Sequence, residues 1–489
     1  MDTPIDRRGF LAGAGVAGLS LAGGASVGRV ARAAARGAGP PIRGQVIRRG
    51  QSGFLQAAQV YNMRFDRFLP SLVARPVDAS DTRAAVRWAV SNGVPLRAKS
   101  GGHSYAGYST QSGGMVLDMR NMTGISVNTR NRTATIGAGA QLIDVYAALA
   151  ARGVTIPAGS CPSVGIAGHA LGGGMGLAAR QFGLTADNLL SAQIVTADGR
   201  VRTASASSNP DLYWALRGGG GGNFGIVTSF TFRVHAVPRT VAGFEVFWPW
   251  SRAADALAAW QAWAPYARSQ LTSIFHLNGG GGSTSVAVSG QYFGPASDLG
   301  RLLGPLIASG GRITTFNDGY LRMQQIWAGC ANISLTACHT AGTRPGGTLQ
   351  RESFQAKSDY VSRQLPAAAR NLLVRATEAR ASIGGSGAIL FDSYGGAINR
   401  VSPGATAFVH RNVLFCMQYL SYNGGASWLS STYSKMFPYV TGGAYLNYTD
   451  PDLKGWQTAY YGSNYRRLLE VKRDVDPHNF FTFPQAIGR

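Results

Sequence analysis

Seven of the eighteen residues from Gly159 to Gly176 are glycine, a density that no stable helix or ordinary core strand carries. The segment reads Gly159-Ser160-Cys161-Pro162-Ser163-Val164-Gly165-Ile166-Ala167-Gly168-His169-Ala170-Leu171-Gly172-Gly173-Gly174-Met175-Gly176, and something must come close to this backbone. Two more glycine clusters share the same part of the chain. Arg97-Ala98-Lys99-Ser100-Gly101-Gly102-His103-Ser104-Tyr105-Ala106-Gly107 directly follows a strand-like run, and Arg217-Gly218-Gly219-Gly220-Gly221-Gly222-Asn223-Phe224-Gly225-Ile226-Val227 leads into one. Glycine permits positive φ and allows successive N–H groups to face an anionic group. The first loop lacks the Gly-Lys-Ser/Thr of a P-loop. Three such loops predict a large ligand laid across them.

Around the loops, short β-branched runs alternate with helical periodicity. Ala84 to Val90 is apolar at helical spacing, stops at Asn92-Gly93, and gives way to a strand at Val94 to Ala98. Strands are expected at Gly114–Asp118, Thr133–Gly139, Leu189–Val195 and Gly225–Val234, and a helix from Leu142 to Ala151. Ala197-Asp198-Gly199 marks a hairpin turn. From about Thr240 the text becomes richer in aromatics and alternating strands such as Val286–Phe293. These patterns predict an α+β chain in three parts, 41–239, 240–443 and a closing segment 444–489. That segment carries a helix ending before Asp476-Pro477.

Asp6-Arg7-Arg8-Gly9-Phe10-Leu11, an apolar stretch to Ala25, and small residues near Ala33 to Ala35 look like a twin-arginine export signal over 1–35. The apolar stretch is shorter than the roughly 20 residues of a spanning helix, so no membrane span is predicted and the mature chain is expected to be exported. Gly13-Ala14-Gly15-Val16-Ala17-Gly18 matches the GxGxxG pattern but has no strand before it, and is set aside. The net charge is +23, with five lysines and 41 arginines scattered rather than blocked, which predicts no specific nucleic-acid partner. Cys161 lies 58 residues after His103, without the short ligand pairs that zinc wants, and no metal site is predicted. Cys330 and Cys338 can pair in an exported protein, but sequence leaves the connectivity open.

The spacing of the three glycine loops, with the closing Asp476-Pro477-His478-Asn479-Phe480-Phe481 run, resembles the berberine bridge enzyme-like flavoproteins of the vanillyl-alcohol-oxidase (PCMH) type. The resemblance implies a two-domain fold in which an FAD-binding domain is joined by a substrate domain with an antiparallel sheet backed by helices. It implies FAD joined at its 8α carbon to His103 and at C6 to Cys161. In the first loop it places Arg97, Ser100, Gly101, Gly102, Ser104, Tyr105 and Gly107 at the cofactor. In the second it places Val164, Gly165, Gly168, His169, Gly173 and Gly174 there, and beyond them Gly225, Ile226, Val227 and Asn479. His169 is implied to hydrogen-bond the flavin, and Val164 to sit where oxygen access is controlled, Val being the residue of oxidases. Met175 departs from the pattern, which often has Tyr at that position.

Ala444-Tyr445-Leu446-Asn447-Tyr448-Thr449-Asp450 resembles the family's Asn-Tyr-x-Asp motif, whose tyrosine hangs over the reacting end of the flavin. Oxidising a carbinol sends hydride to flavin N5 while a base removes the hydroxyl proton. A free tyrosine has a pKa of about 10, so Tyr448 is expected to need stabilisation as phenolate. Gln418 matches a position that orients a hydroxyl. The expected activity is that of an oxidase acting on a hydroxylated, carbohydrate-like substrate and passing electrons to O₂. Its alternatives are a dehydrogenase or tailoring oxidase of an aromatic or polyketide metabolite, and an Arg-rich polyanion-binding protein without flavin. Trp248, Trp327 and Trp428 are read as core rather than a sugar platform, and Tyr360 as packing.

Overall fold

The computed structural model describes residues 39–489, so the twin-arginine segment and the Gly13–Gly18 match lie outside the described residues. Three sheets of four or more strands organise the described residues. The first runs Gln45–Arg48, Leu72–Arg75, Met115–Asp118, Leu96–Lys99, with the last three strands parallel to one another. A parallel pair needs a crossover, and Ala79–Ser91 supplies it. The Asp78 side chain accepts from the Asp81 N–H at the start of this helix, and Ala85, Val86 and Ala89 bury its inner face.

The second sheet is antiparallel, in the order Ile125–Asn128, Thr133–Gly137, Ile226–Arg233, Leu189–Val195, Val201–Ser205. The expected Asp-Gly hairpin joins its last two strands, closed by the Gly199 N–H on the Thr196 carbonyl. The third sheet has seven antiparallel strands ordered Arg312–Gly319, Thr240–Trp248, Ser283–Tyr292, Leu271–Gly280, Ser386–Ser393, Phe415–Tyr422, Phe354–Val361. One face packs on the helices Ala253–Trp263, Ala367–Ser382 and Ala426–Met436 around Trp260, Phe275, Phe391 and Phe415. This is an α+β fold of two domains.

The chain end returns to the first part. Leu468 and Val471 of the helix Tyr465–Val475 share a core with Leu212, Trp214 and Phe224. Lys472 Nζ pairs with Asp476 and donates to the carbonyls of Asn223 and Phe481, each at 2.7 Å. This ties the closing segment to the third glycine cluster.

One expectation needs correction. The second glycine cluster does form helix, at Ile166–Leu171. Its turns are stabilised by burial of Ile166, Ala167, Ala170 and Leu171, which outweighs the intrinsic cost of Gly168, about 1 kcal/mol relative to alanine. Cys330 and Cys338 form a disulfide, while Cys161 and Cys416 stand outside it. Trp248 and Trp428 pack with the helix-side core of the seven-stranded sheet, and Trp327 packs against the first domain. Among the described residues no helix is long and apolar enough to cross a membrane.

Candidate active site

Lys99 anchors the point where the strand Leu96–Lys99 becomes the first glycine loop. Its ammonium is buried 3.3 Å from Asp118 Oδ2, a carboxylate that also holds Arg120 at 2.7 Å and Arg75 at 3.5 Å. The loop then runs against the second cluster. A Cβ on Gly101 would stand 2.2 Å from Gly165 N, and one on Gly165 2.0 Å from Ser100 Oγ, so glycine here serves loop-to-loop packing. At Gly168 a Cβ would meet nothing within 4 Å, and this residue lines a cavity of about 310 Å³ enclosed by all three loops.

His103 lines the cavity. Its ring stacks on Tyr61 with centroids 4.0 Å apart, and Nε2 meets Ser163 Oγ at 2.9 Å. Desolvation pushes the imidazole down to about 3, so it is neutral near pH 7 and keeps a nucleophilic nitrogen. His169 is likewise neutral, pushed down to about 4 by burial. The Gly159 N–H donates to its Nε2 at 3.0 Å, which leaves the proton on Nδ1 and fixes the ring beside the cavity. Cys161 presents an exposed thiol to the same cavity. Arg97 is fixed by donation to the Thr482 carbonyl and lies over the Phe483 ring.

The opposite wall comes from the seven-stranded sheet. Cross-strand pairing sets Ile274 opposite Asp392 and Leu390 opposite Gln418, and strand alternation sends this set away from the helix-side core. Asp392 and Gln418 are therefore buried yet reach the cavity, with Thr272, Ile274 and Leu390 beside them. Tyr448 arrives from the turn Leu446–Tyr448 and donates through Oη to Asp392 Oδ2 at 3.0 Å. Gln418 Nε2 donates to Tyr105 Oη at 2.8 Å, and the Tyr105 and Tyr448 rings stack with centroids 5.5 Å apart.

This geometry revises the expected role of Tyr448. Burial, and then the Asp392 carboxylate, raise its pKa well above the ordinary value, so it stays a phenol that donates rather than a standing phenolate. Asp392 is the group beside it able to receive a proton. Asp392 carries no local signal in the sequence, because in Ala388-Ile389-Leu390-Phe391-Asp392 it is one polar tooth of an alternating strand. Tyr445 shapes the second loop, its Oη accepting the N–H groups of Gly174 and Met175.

Of the first-loop residues expected at the cofactor, Arg97, Ser100, Gly101, Gly102, Ser104 and Tyr105 line the cavity with His103. Val164, Gly165, Gly168, His169, Gly225, Ile226 and Val227 do so as well. Gly107, Gly173, Gly174 and Asn479 do not. Gly107 lies under the Phe65 ring, and Gly173 packs on Phe408. Gly174 is hydrogen-bonded to Tyr445, and Asn479 takes φ 50° in a turn that places Phe481, Phe483 and Gln485 at the cavity instead.

Residues 70–205 match the family described as FAD binding domain, and 444–488 the family described as Berberine and berberine like. The chain is 33% identical to the uncharacterized FAD-linked oxidoreductase YgaK of Bacillus subtilis (strain 168), over 91% of this chain and 97% of that one. The solved Physcomitrella patens BBE-like 1 superposes with a TM-score of 0.84 at 34% identity, covering 93% of this chain and 98% of that one. The chain belongs to the berberine bridge enzyme-like FAD-linked oxidoreductases. Another relative of this berberine bridge enzyme-like protein is the xylooligosaccharide oxidase of Thermothelomyces thermophilus, 30% identical over 90% of this chain and 92% of that one. The site fits the cofactor. Side-chain-free backbone at Gly168 opens to the cavity, apolar walls are supplied by Leu142, Val164 and Ile226, and the His169 ring is held at its edge by the Gly159 N–H.

Proposed function

We propose that this berberine bridge enzyme-like protein is an exported oxidase of an alcohol or hemiacetal carbon in a carbohydrate-like or glycosylated substrate, with O₂ reduced to H₂O₂. The observation that carries the reading is the Asp392–Tyr448 pair, with Gln418, on the wall facing His103 and Cys161. When bound, FAD supplies the acceptor for the substrate hydride. Tyr448 takes the hydroxyl proton at Oη as its own hydrogen passes to Asp392 Oδ2, so negative charge leaves the substrate without a free phenolate. Gln418, braced by Tyr105, orients a substrate hydroxyl.

In this reading 41–239 with 444–489 form the flavin domain, and 240–443 the substrate domain. His103 and Cys161 each form one bond to the ring, at its 8α carbon and C6. Double attachment holds the ring without covering it, which suits bulky hydroxylated substrates. A relative that is a xylooligosaccharide oxidase supports the substrate class, and Val164 at the cavity supports oxygen as acceptor. Export rests on Arg7-Arg8 and is supported by the Cys330–Cys338 disulfide, a bond of oxidising compartments.

The test is a visible spectrum before and after acid precipitation, with intact mass on the pellet, followed by peroxide release from a panel of oligosaccharides. Colour should stay with the pellet in the single variants His103→Ala and Cys161→Ala and leave it in the double variant. Colour lost from the wild-type pellet overturns the attachment. Dye reduction without peroxide favours a dehydrogenase.

A further inference from the structure

His103 is held by residues distant from it in the sequence. Its Nε2 contacts Ser163 Oγ, and Thr340 Oγ1 donates to that same oxygen at 2.7 Å. Both hydroxyl residues are 2% exposed, so water does not compete for the pair. Thr340 lies two residues beyond the loop closed by the Cys330–Cys338 disulfide. Cys330, Cys338 and Leu349 pack on Ile143 of the helix Leu142–Ala150, and His339 Nε2 meets Asp144 of that helix at 3.0 Å. The same stretch secures the other side of the imidazole. Arg351 Nε donates to the Val60 carbonyl at 2.8 Å, and the Met63 N–H to Glu352, bracketing Tyr61, whose ring stacks on His103.

We infer that Thr340 is a positioning residue for the attachment of His103 to the flavin, acting through Ser163. The inference rests on the covalent reading proposed above. Ser163 engages Nε2 and leaves Nδ1 as the nitrogen to bond. In that bond His103 gains the 8α carbon, one proton leaves the carbon and one leaves the imidazole. The two electrons enter the flavin ring, and dioxygen removes them as hydrogen peroxide. Because Thr340 and Arg351 come from the stretch between the substrate-side strands, attachment is faster once that stretch has docked.

The test uses Cys161→Ala as background, so that His103 is the sole attachment point. The fraction of purified protein carrying covalent flavin is read by intact mass, and its rise is followed in air. Cys161→Ala/Thr340→Ser, which keeps the hydroxyl, should attach like the background. Cys161→Ala/Thr340→Val should attach at least fivefold more slowly while keeping its melting temperature and non-covalent yellow colour. Ser163→Ala in the same background gives a second reading should the valine variant fold poorly, with the same loss expected. Equal attachment rates for Thr340→Ser and Thr340→Val overturn the role of Thr340 and leave the covalent reading standing. Absence of covalent flavin in Cys161→Ala itself overturns the attachment at His103, and the positioning role with it.

Discussion

The Tyr448 hydroxyl donates to Asp392 Oδ2 over 3.0 Å, joining the C-terminal segment to the strand Ser386–Ser393 in the interior of the seven-stranded sheet. Asp392→Asn keeps the shape and removes the proton acceptor. The rate of flavin reduction by substrate, measured anaerobically by stopped flow, should fall by about 10² to 10⁴. Tyr448→Phe removes the hydroxyl that takes the substrate proton and should lose at least as much. An Asp392→Asn enzyme reducing its flavin at the wild-type rate would remove Asp392 from the chemistry.

Gln418 and Tyr105 form a polar bridge between the sheet and the first glycine loop. Gln418→Leu breaks a hydrogen bond with a net worth of about 0.5–1.5 kcal/mol. The expected result is a fall in kcat/KM of up to roughly tenfold, chiefly through KM, because a positioning contact serves ground and transition states alike.

Two glycines of the cavity should behave oppositely. Gly101→Ala puts a Cβ 2.2 Å from Gly165 N and should yield a destabilised protein poor in flavin. Gly168→Ala has room for its Cβ and improves helix propensity by about 1 kcal/mol, so the fold should hold. Its methyl group projects into the cavity, and the flavin-to-protein absorbance ratio should drop while the melting temperature does not.

Burial pushes His410, stacked on Tyr360 with centroids 4.1 Å apart, down to about 4 from its ordinary 6.5. A histidine depressed on folding contributes stability that is present above pH 6.5 and lost as pH falls toward 4, since unfolding then takes up a proton. Over that window His410 should contribute a slope of about 1.4 kcal/mol per pH unit at its limit. Urea titrations of His410→Phe should show a flatter acid limb; an unchanged slope would assign the acid sensitivity to other groups.

Opening the Cys330–Cys338 disulfide should cost about 2–4 kcal/mol. Urea melts of the Cys330→Ser/Cys338→Ser variant measure it. A midpoint equal to the wild-type one would show that the segment carrying Thr340 holds its place without the disulfide.

Much of the cofactor side was legible in the chain. His103, Cys161 and His169 are named by the resemblance that the glycine loops carry, and all three line one cavity. Gly107, Gly173, Gly174 and Asn479 sit in the same motifs yet face Phe65, Phe408, Tyr445 and a terminal turn. A motif fixes the course of a loop, but the loop has two sides, and only packing shows which one the ligand meets. The substrate side was less legible: Gln418 was found through its motif, whereas Asp392 gave no local signal.

What the sequence determined by itself are features set by local backbone chemistry. Glycine density marks where the chain must turn tightly or be approached closely, and two-residue alternation marks strands with one face inward. The protonation of Tyr448, its pairing with Asp392 56 residues away, and the hold of Thr340 on Ser163 across 177 residues were decided by tertiary structure. These depend on desolvation and on hydrogen-bond partners from other strands and loops. Neither exists until the sheets and loops have packed.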